Sequence, residues 1–340
     1  MPATLPRRKL GRTGLDVTVM GFGSAPLGDI YEVLDDRTAI AAVETAAEAG
    51  VTLFDTAPFY GQGSAEHRIG TALRRQKPGS FVLSTKVGRI LTPAPNGRTR
   101  SSRFVGGLQF NVTNDYSYDA AMRSHEASLQ RLGLPKIDVL LIHDADAWAH
   151  GPVEGPKRYR EAMEGAYVAL EKLRAEGVVK GIGLGLNDPS YAANFLRDGD
   201  FDCLLLAGRY SLLEQPALAE VLPLAVKKNV GVFLGGVFNS GILATGSIAG
   251  ARYNYTPAPP EILDKVRRIE KVCQSHGALL PAAAMQFCLG HAAVSSLVLG
   301  AVTPDEVRRN LAAMAKPVPA ALWADLKAEK LLNSEAPVPA

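Results

Sequence analysis

The sequence predicts an α/β fold, a (β/α)8 TIM barrel with an N-terminal β-hairpin and an extra C-terminal helix. Short apolar segments alternate with amphipathic helical segments along the 340 residues. Eight predicted strands are each followed by a helical segment, and such units bury every strand when they close into a barrel. The strands are almost continuously apolar, which is typical of parallel strands that are covered on both faces. We therefore expect residues 1–340 to form a single domain.

The predicted strands and helices follow one another in regular order. In chain order the strands are VTVMGFG, TLFDTA, FVLSTKVG, IDVLLIHD, KGIGLGL, CLLLAG, GVFLGG and SSLVLGA. The helices have apolar residues at helical spacing and are predicted at 36–49, 64–75, 118–132, 159–176, 190–196, 216–228, 261–276 and 304–314, with one more at 320–332. Gly50, Gly133 and Gly177 follow three helices and suit a left-handed terminal residue, and Ser64 can cap the second helix.

Segments outside these elements also have predicted roles. The opening RRKLGRTGLDVTV indicates a small hairpin that turns at residues 12–14 and closes the barrel floor. Residues 90–116, 145–158 and 237–260 are too long for simple connections. All three leave carboxyl-terminal strand ends, where the active sites of barrels are built, so we expect them to cover a substrate or cofactor. The Pro-rich end of the chain is expected to be disordered.

Composition and charge exclude several classes of function. The 37 basic and 34 acidic residues leave a formal charge of +3, which predicts neither nucleic acid nor a membrane surface as a partner. No apolar run reaches the roughly 18 residues of a membrane span, and the opening MPATLPRRKLGRTG lacks the apolar stretch of a signal peptide. Cys203, Cys273 and Cys288 are too widely spaced for a metal-binding pair or a disulfide framework. We expect a cytoplasmic protein without a metal ion, a monomer or small homo-oligomer whose partner is a small-molecule substrate.

Four polar residues stand where predicted strands give way to loops: Asp55, Tyr60, Lys86 and His143. The carboxyl ends of parallel strands meet at one rim of a barrel, so these side chains are expected to share a pocket. A phenol has a pKa of about 10 and is a weak acid and base at neutral pH, but a nearby ammonium lowers that pKa. A buried carboxylate can keep the ammonium charged, and a neutral imidazole can orient a substrate oxygen. The set predicts proton transfer in a reversible carbonyl–alcohol conversion.

Each of these residues also has a structural interpretation when it is taken singly. A tyrosine in a turn, a lysine at a strand end, an aspartate before a threonine and a histidine beside Asp144 are all common without function. Their joint position on one predicted rim favours catalysis. His125 and His150 have no ligand partner at useful spacing, and the zinc-peptidase, serine-hydrolase and P-loop motifs are absent from the sequence. The glycine clusters at 21–23 and 181–185 do not complete a dinucleotide-binding G-x-G-x-x-G before a helix.

Several longer motifs resemble the aldo-keto reductases. They are GFGSAPLG, FDTAPFYGQGSAEHRIG, FVLSTKVG, IDVLLIHD and GAVTPDEVRRN, and together they span about residues 9–315. The resemblance implies a TIM barrel that binds a nicotinamide cofactor in extended form, without a Rossmann domain. It also implies that Tyr60 donates and accepts the proton, that Lys86 and Asp55 adjust the pKa of Tyr60, and that His143 orients the substrate.

The resemblance defines the cofactor site only in part. The candidate contacts, by match to the family's positions, are Gly23, Ser24, Asp55, Asn187, Phe238, Ser240, Gly241, Gly300, Glu306, Arg309 and Asn310. The family often has Ser-Asn where Gly185 and Leu186 stand, a Gln at the place of Ala207 and a Tyr at the place of Gly235. The contacts to the nicotinamide are therefore expected to differ from the family's usual set.

The last motif predicts the cofactor preference. NADP-using members typically place basic side chains at the positions matched by Gly300, Val302 and Glu306. A carboxylate at Glu306 would repel a 2′-phosphate and could accept a ribose hydroxyl, so NAD is expected over NADP. Arg308 and Arg309 argue for NADP, and Glu306 could equally be a solvated helix charge.

Three further segments, GGVFNSGIL, NDYSYDAAMRSHEASLQRLGL and LLAGRYSLLEQ, resemble the branch of the family that holds L-fucose (D-threo-aldose) 1-dehydrogenases and pyridoxal 4-dehydrogenases. The resemblance implies NAD-dependent oxidation of the hemiacetal carbon of an aldose to a lactone. Oxidation of pyridoxal to 4-pyridoxolactone and NADPH-dependent aldehyde reduction stay open, as does a nicotinamide-binding sensor or channel-associated subunit without turnover. Phe59 and Trp148 are expected to flank the substrate ring beside Tyr60 and His143.

Overall fold

A closed barrel of eight parallel strands forms the centre of the protein, which confirms the predicted fold class. The computed structural model describes residues 5–98 and 103–339. In chain order the strands are β1 (Arg7–Lys9), β2 (Asp16–Thr18), β3 (Met20–Gly23), β4 (Leu53–Asp55), β5 (Val82–Val87), β6 (Arg89–Pro93), β7 (Phe110–Asn114), β8 (Val139–His143), β9 (Gly181–Leu186), β10 (Cys203–Ala207), β11 (Gly231–Gly235), β12 (Arg252–Tyr253), β13 (Thr256–Pro257) and β14 (Val294–Gly300). Around the barrel the order is β3, β4, β5, β8, β9, β10, β11 and β14, which pairs with β3 again.

The predicted hairpin closes the amino-terminal end of the barrel. Strands β1 and β2 pair in antiparallel fashion. Leu10 and Val17 are fully buried and pack among side chains from the barrel interior such as Phe233. The Arg12 guanidinium donates to Oδ1 of Asp202 over 2.8 Å, just before β10. Arg12 also pairs with Asp200 (2.5 Å), so the hairpin adds apolar contacts and two ion pairs to the floor.

Helices cover the outside of the barrel. They are α1 (Asp36–Glu48), α2 (Ser64–Leu73), α3 (Tyr118–Leu132), α4 (Ala147–Glu161), α5 (Tyr167–Ala175), α6 (Pro189–Asp198), α7 (Val221–Lys228), α8 (Ile242–Thr245), α9 (Pro260–Ser275), α10 (Leu280–Leu289), α11 (Pro304–Met314) and α12 (Ala320–Ala328). Gly50, Gly133 and Gly177 have the predicted left-handed backbone, with φ of 86°, 60° and 73°. Within the described ranges, no helix combines the length and apolar character that a bilayer crossing requires.

The predicted loop at 145–158 is helical instead. Its glycine and proline content indicated a loop, but the Asp146 side chain accepts the Ala149 N–H and caps α4. Gly151 takes φ 75°, and Pro152 follows it at the start of a second helical stretch, where the missing proline N–H costs little. A π-helical turn then joins α4 to α5, so the predicted helix at 159–176 is the end of a longer one.

Two further helices differ from expectation, as does one cap. The sequence analysis missed α10, because its residues are apolar all round and show no amphipathic period. The predicted helix at 216–228 is broken into a 3₁₀ turn at Pro216–Leu218 and the shorter α7. Ser64 does not cap α2: Gly63 holds that position with φ 100°, and Ser64 Oγ has no hydrogen-bond partner among the described residues.

The described parts of the long segments and of the chain end contain strands, a helix or buried side chains. Residues 90–116 contain the antiparallel ribbon of β6 and β7, and residues 237–260 contain α8 and the ribbon of β12 and β13. The expected disorder of the Pro-rich end is wrong for the part that the structure describes. Ala336 is buried there and Val338 packs against the large apolar core between helices and barrel.

Gly11→Ala should destabilise the protein more than Gly14→Ala, although both glycines lie in the hairpin at positive φ (51° and 75°). A Cβ on Gly11 would overlap the Asp202 carbonyl oxygen and the Gly231 nitrogen, whereas a Cβ on Gly14 meets no described atom within 4 Å. Backbone strain alone should lower the unfolding free energy by about 1 kcal/mol at Gly14, and overpacking should remove about 1–3 kcal/mol more at Gly11. Urea denaturation of the two variants measures the difference. Equal losses of unfolding free energy in the two variants would show that the hairpin is not closely packed against the barrel floor at Gly11.

Candidate active site

A buried ion pair joins two neighbouring strands at the carboxyl end of the barrel. Lys86 in β5 places its Nζ 2.6 Å from Oδ2 of Asp55, the last residue of β4, and both side chains are almost inaccessible to solvent. The same Nζ donates to the Thr56 carbonyl oxygen (2.8 Å), and Ser84 Oγ donates to Asp55 Oδ1 (2.9 Å). Residues two apart on a strand share a face, which is why Ser84 and Lys86 both reach Asp55. Burial raises the pKa of Asp55, while Lys86 and Ser84 oppose the shift.

A turn with unusual backbone geometry positions Tyr60. The three residues that follow it, 61–63, have φ of 62°, 51° and 100°. A Cβ on Gly61 would overlap Ser64 Oγ, so this turn requires glycine there. The turn brings the Tyr60 ring over the strand ends, with Lys86 Nζ 4.8 Å from the ring centroid.

The Tyr60 phenol is neutral at neutral pH. Tyr60 retains partial solvent access through the pocket, although it lies deep in the protein. Burial raises its pKa well above the usual 10.0, and the carboxylates of Asp55 and Asp144 raise it further. The net shift is opposite to the lowering that a nearby ammonium alone predicts, because burial disfavours the charged phenolate. The ammonium can still stabilise negative charge that develops on the ring oxygen when the proton leaves.

His143 ends β8 and completes the group of four. Its ring lies edge-on to that of Tyr60, with the centroids 5.7 Å apart. Burial lowers the pKa of His143 to about 3, and Lys86 adds to the shift although Asp144 opposes it, so the imidazole is neutral. The Tyr116 hydroxyl donates to the His143 carbonyl oxygen over 2.7 Å and fixes the backbone. Nδ1 has no hydrogen-bond partner among the described residues.

Aromatic and apolar side chains line much of a cavity around Tyr60 and His143. They include Ile30, Phe59, Phe104, Leu205 and Tyr255. Phe104 packs edge-on against Phe59, with the ring centroids 5.1 Å apart. Phe104 and Tyr255 belong to the segments 90–116 and 237–260, which the sequence indicated as pocket covers. Which of their side chains face the pocket could not be predicted.

Polar side chains also line the cavity, among them Arg103, Asp144 and Asn187. The Arg103 guanidinium lies 4.2 Å from the centroid of the Tyr255 ring. Asn187 Nδ2 donates to Asp144 Oδ1 over 3.1 Å. Asn187 is among the predicted cofactor contacts, whereas Arg103 and Asp144 were missed. The only sequence signal for Asp144 was its place directly after His143.

The two residues expected to flank a substrate ring lie in different places. Phe59 lies on the pocket wall. Trp148 is 45% exposed on α4, and the Arg209 guanidinium lies 4.3 Å from its ring centroid. Trp148 is not part of the pocket wall that the described residues form. The structure therefore does not bring it to Tyr60 and His143, because the predicted loop is a helix that presents it outside.

On the arc of the barrel formed by β9, β10, β11, β14 and β3, the strand ends have glycine or alanine residues. At or beside these ends lie Gly23, Gly185, Ala207, Gly235 and Gly300. Gly23 pairs with Gly300 across β3 and β14. The buried Oγ of Ser24 and the buried Oδ1 of Asn239 have no hydrogen-bond partners within residues 5–98 and 103–339. Buried polar atoms without partners are a feature of ligand sites, so the residues present fit the polar carboxamide of a nicotinamide.

The loop after β11 is held in a defined shape. Residues 239–241 all have positive φ, at 45°, 62° and 99°. Ser240 Oγ accepts the Tyr255 N–H (2.9 Å), and Glu214 accepts from Asn239 Nδ2 (3.1 Å). These contacts hold Tyr255 against the pocket. The predicted cofactor contacts in this loop are Phe238, Ser240 and Gly241.

Hydrogen bonds at the start of α11 fix the side chain of Glu306. Thr303 Oγ1 accepts the Glu306 N–H (3.2 Å), and Glu306 Oε2 accepts the Val302 N–H (2.7 Å). This reciprocal cap uses one carboxylate oxygen. The other oxygen, Oε1, lies 3.9 Å from the Arg309 guanidinium. The remaining predicted contacts near this helix are Gly300, at the end of β14, and Asn310, on α11.

Comparisons with known proteins agree with this architecture. The sequence profile of the Aldo/keto reductase family matches residues 19–329. A pyridoxal 4-dehydrogenase from Microbacterium luteolum is 42% identical over 336 residues, which cover 96% of this chain and 98% of that protein. A D-threo-aldose 1-dehydrogenase from a Pseudomonas species is 39% identical over 328 residues, or 94% of this chain and 96% of that protein. The holo structure of an aldo-keto reductase from Bacillus halodurans superposes with a TM-score of 0.74 at 25% identity and covers 98% of each chain.

These matches cover the whole barrel, including the strand ends that carry Asp55, Lys86 and His143. Members of the matched family use nicotinamide cofactors. The chain is an oxidoreductase, and it belongs to the aldo/keto reductase family.

Proposed function

We propose that this protein oxidises the hemiacetal carbon of an aldose to a lactone, with NAD as the cofactor and Tyr60 as the general base. The proposal rests on one observation: Lys86 contacts Asp55 at 2.6 Å and lies 4.8 Å from the Tyr60 ring centroid, beside His143 in one pocket. The 39% identity to a D-threo-aldose 1-dehydrogenase supports the substrate class.

In this reaction the hemiacetal loses a hydride from carbon and a proton from oxygen, and its C–O bond becomes a carbonyl. The nicotinamide, when bound, supplies the hydride acceptor. Tyr60 takes the hydroxyl proton, and the Lys86 ammonium stabilises the phenolate that takes it. Asp55 keeps this ammonium charged and oriented. The neutral imidazole of His143 can hydrogen-bond the reacting oxygen without adding a charge.

A second candidate substrate is pyridoxal, which also forms a cyclic hemiacetal and would yield 4-pyridoxolactone. Phe59, Phe104 and Tyr255 give the pocket apolar faces and edges that suit an aromatic ring. The 42% identity to a pyridoxal 4-dehydrogenase supports this candidate. Both substrates would use the same proton transfer at Tyr60.

The NAD preference is proposed from the charges at the start of α11. The carboxylate of Glu306 is fixed there by its cap and would oppose a 2′-phosphate. Arg308 pairs with Asp305 (2.5 Å), and Arg309 lies 3.9 Å from Glu306. Each basic side chain therefore has an acidic neighbour, which weakens its attraction for a phosphate.

We also propose that the protein is located in the cytoplasm, a reducing compartment. Cys203, Cys273 and Cys288 are free thiols, and all three are buried. This usage supports a location where disulfides are rare. A monomer or small homo-oligomer remains the expected assembly.

Purified protein with NAD should oxidise at least one of L-fucose, D-arabinose and L-galactose, with lactone formed in step with NADH. Pyridoxal in the same panel tests the second candidate. Tyr60→Phe should lower kcat by about 10²–10⁴-fold, because it removes the proton acceptor. NADH binding, followed by fluorescence, should be retained in this variant and serves as the control for folding. No oxidation of any of these substrates, together with reduction of simple aldehydes by NADPH, would contradict the proposal.

The two reaction directions should depend on pH in opposite ways. Because the pKa of Tyr60 is raised, its neutral form persists, and kcat/KM for aldehyde reduction should be flat from about pH 7 to 9 and fall only above about pH 10. Oxidation needs the phenolate and should rise with pH over the same range. His143, with its pKa lowered to about 3, should add no inflection near its usual value of 6.5. A tenfold fall in the reduction rate between about pH 7 and 9 would show that Tyr60 has a low pKa after all.

Wild-type protein should bind NADH more tightly than NADPH, and Glu306→Gln should reduce the difference between the two dissociation constants. Glutamine can still accept the Val302 N–H through its carbonyl oxygen, so the cap persists while the charge is lost. We expect the Kd for NADPH to fall about tenfold, with little change for NADH. The control is Asp264→Asn, which removes a charge that is 64% exposed on a different helix, α9, and should change either Kd little. Equal or tighter binding of NADPH by the wild type would contradict the preference.

A further inference from the structure

A carboxylate directly after His143 faces the pocket and takes no part in the proposed proton transfer. Asp144 is 8% exposed and lines the cavity that holds Tyr60 and His143. Its Oδ2 lies 3.5 Å from His143 Nε2. A buried charge beside the reacting groups needs a reason, because burying a carboxylate is costly unless it is paired.

The backbone of Asp144 is strained and fixed from both sides. Its φ is 51°, a left-handed value that most side chains avoid and that Asp and Asn tolerate best. The Asp144 N–H donates to the Gly185 carbonyl oxygen (2.9 Å), and the Tyr116 hydroxyl lies 3.0 Å from the Asp144 carbonyl oxygen. Strain of this kind concentrates at ligand-binding sites. These contacts aim the carboxylate at the pocket with little freedom.

Two neighbours hold Asp144 in the charged form. The Arg89 guanidinium lies 3.1 Å from Oδ2, and Asn187 Nδ2 donates to Oδ1 over 3.1 Å. Burial raises the pKa of Asp144, but His143, Arg89 and Arg103 outweigh burial and leave the pKa below its usual value. Asp144 is therefore an ionised hydrogen-bond acceptor at neutral pH.

Arg89 ties this carboxylate to the rest of the pocket. It donates to Asn114 Oδ1 (2.5 Å) in the ribbon of β6 and β7 and lies 4.9 Å from the Phe59 ring centroid. The carboxylate thus belongs to a connected group of polar side chains in the pocket wall, whose lining also includes the apolar Ile30 and Leu205.

The wall is complementary to a substrate hydroxyl. An ionised carboxylate accepts about four hydrogen bonds, and the contacts to Arg89 and Asn187 do not exhaust that capacity. If His143 orients the reacting oxygen, a second oxygen on the adjacent carbon lies next to Asp144. The 3.5 Å between His143 Nε2 and Asp144 Oδ2 is a separation that two neighbouring hydroxyl oxygens can span.

We propose that Asp144 determines specificity by accepting a hydrogen bond from a hydroxyl on the carbon next to the reacting carbon. The site would then select hydroxylated aldehydes and their hemiacetals over plain aldehydes, since a substrate without the hydroxyl leaves the buried carboxylate unsatisfied. This inference rests on the proposed function for the identity of the reacting carbon. It does not depend on which sugar is the substrate.

Reduction of 2-hydroxypropanal and of propanal by NADH compares two aldehydes that differ by one hydroxyl. The wild type should favour the hydroxylated aldehyde by about 10²-fold or more in kcat/KM, and Asp144→Asn should reduce this ratio to less than about tenfold. Asparagine tolerates the left-handed backbone, so the variant removes the charge and keeps the turn. Asp144→Ser, which shortens the side chain, should reduce the ratio as well and carries the test if Asp144→Asn does not fold.

Asp146→Asn is the matched control. Asp146 is a second buried carboxylate two residues further on; it caps α4 and accepts the Asn187 N–H (3.2 Å), but it is not on the pocket wall. This variant should leave the ratio unchanged. An equal loss of rate on both aldehydes in Asp144→Asn would overturn the inference, because Asp144 would then only support His143, and so would a wild type without preference. A ratio that Asp144→Asn reduces, together with no lactone from any sugar, would leave the inference standing while the proposed function fails.

Discussion

The ion pair between Lys86 and Asp55 is the constraint on which the site depends, because two charges leave water there together. Such a pair gains little stability overall, since desolvation offsets the attraction, but removal of either partner leaves an uncompensated buried charge. The register of the barrel strands places the partners of this pair side by side. Asp55 aligns with Ser84 across β4 and β5, and Lys86 stands two residues further along the same face. A carboxylate, a hydroxyl and an ammonium therefore satisfy one another without water. The turn that presents Tyr60 begins directly after this pair, so the phenol is placed by the same strand end.

The sequence predicts the features that follow from patterns of apolar and polar residues close together in the chain. Continuous apolar strands and amphipathic helices indicate the barrel, and polar residues at strand ends indicate the four residues of the site. Features that depend on long-range packing were missed or misplaced. Helix α10 has no amphipathic face to detect, and the helix that carries Trp148 was interpreted as a loop from its glycine and proline content. Phe104 and Tyr255 reach the pocket only because ribbons fold back over the strand ends, and no residue pattern reports that.

The sign of the pKa shift at Tyr60 shows a different limit of sequence reasoning. A nearby ammonium favours the phenolate, and the sequence indicates that ammonium correctly. Burial acts in the opposite direction, and its size depends on how much protein surrounds the ring, which only the three-dimensional structure shows. A pair of carboxylates, at Asp55 and Asp144, adds to the effect of burial. The neutral phenol is therefore favoured at Tyr60 in the resting site, and proton uptake by Tyr60 during oxidation depends on stabilisation of the phenolate by the Lys86 ammonium.

The end of β8 combines two tasks in consecutive residues, and its backbone explains how. Along a strand, neighbouring side chains point to opposite faces, so two adjacent residues do not normally line one pocket. Asp144 leaves this alternation by its positive φ, and both it and His143 then reach the cavity. The neutral imidazole is suited to a reacting oxygen, whereas the carboxylate is suited to a hydroxyl that does not react. In the proposed mechanism, orientation of the reacting oxygen and substrate selection thus fall to two adjacent residues, and the left-handed backbone of Asp144 lets both side chains reach the cavity.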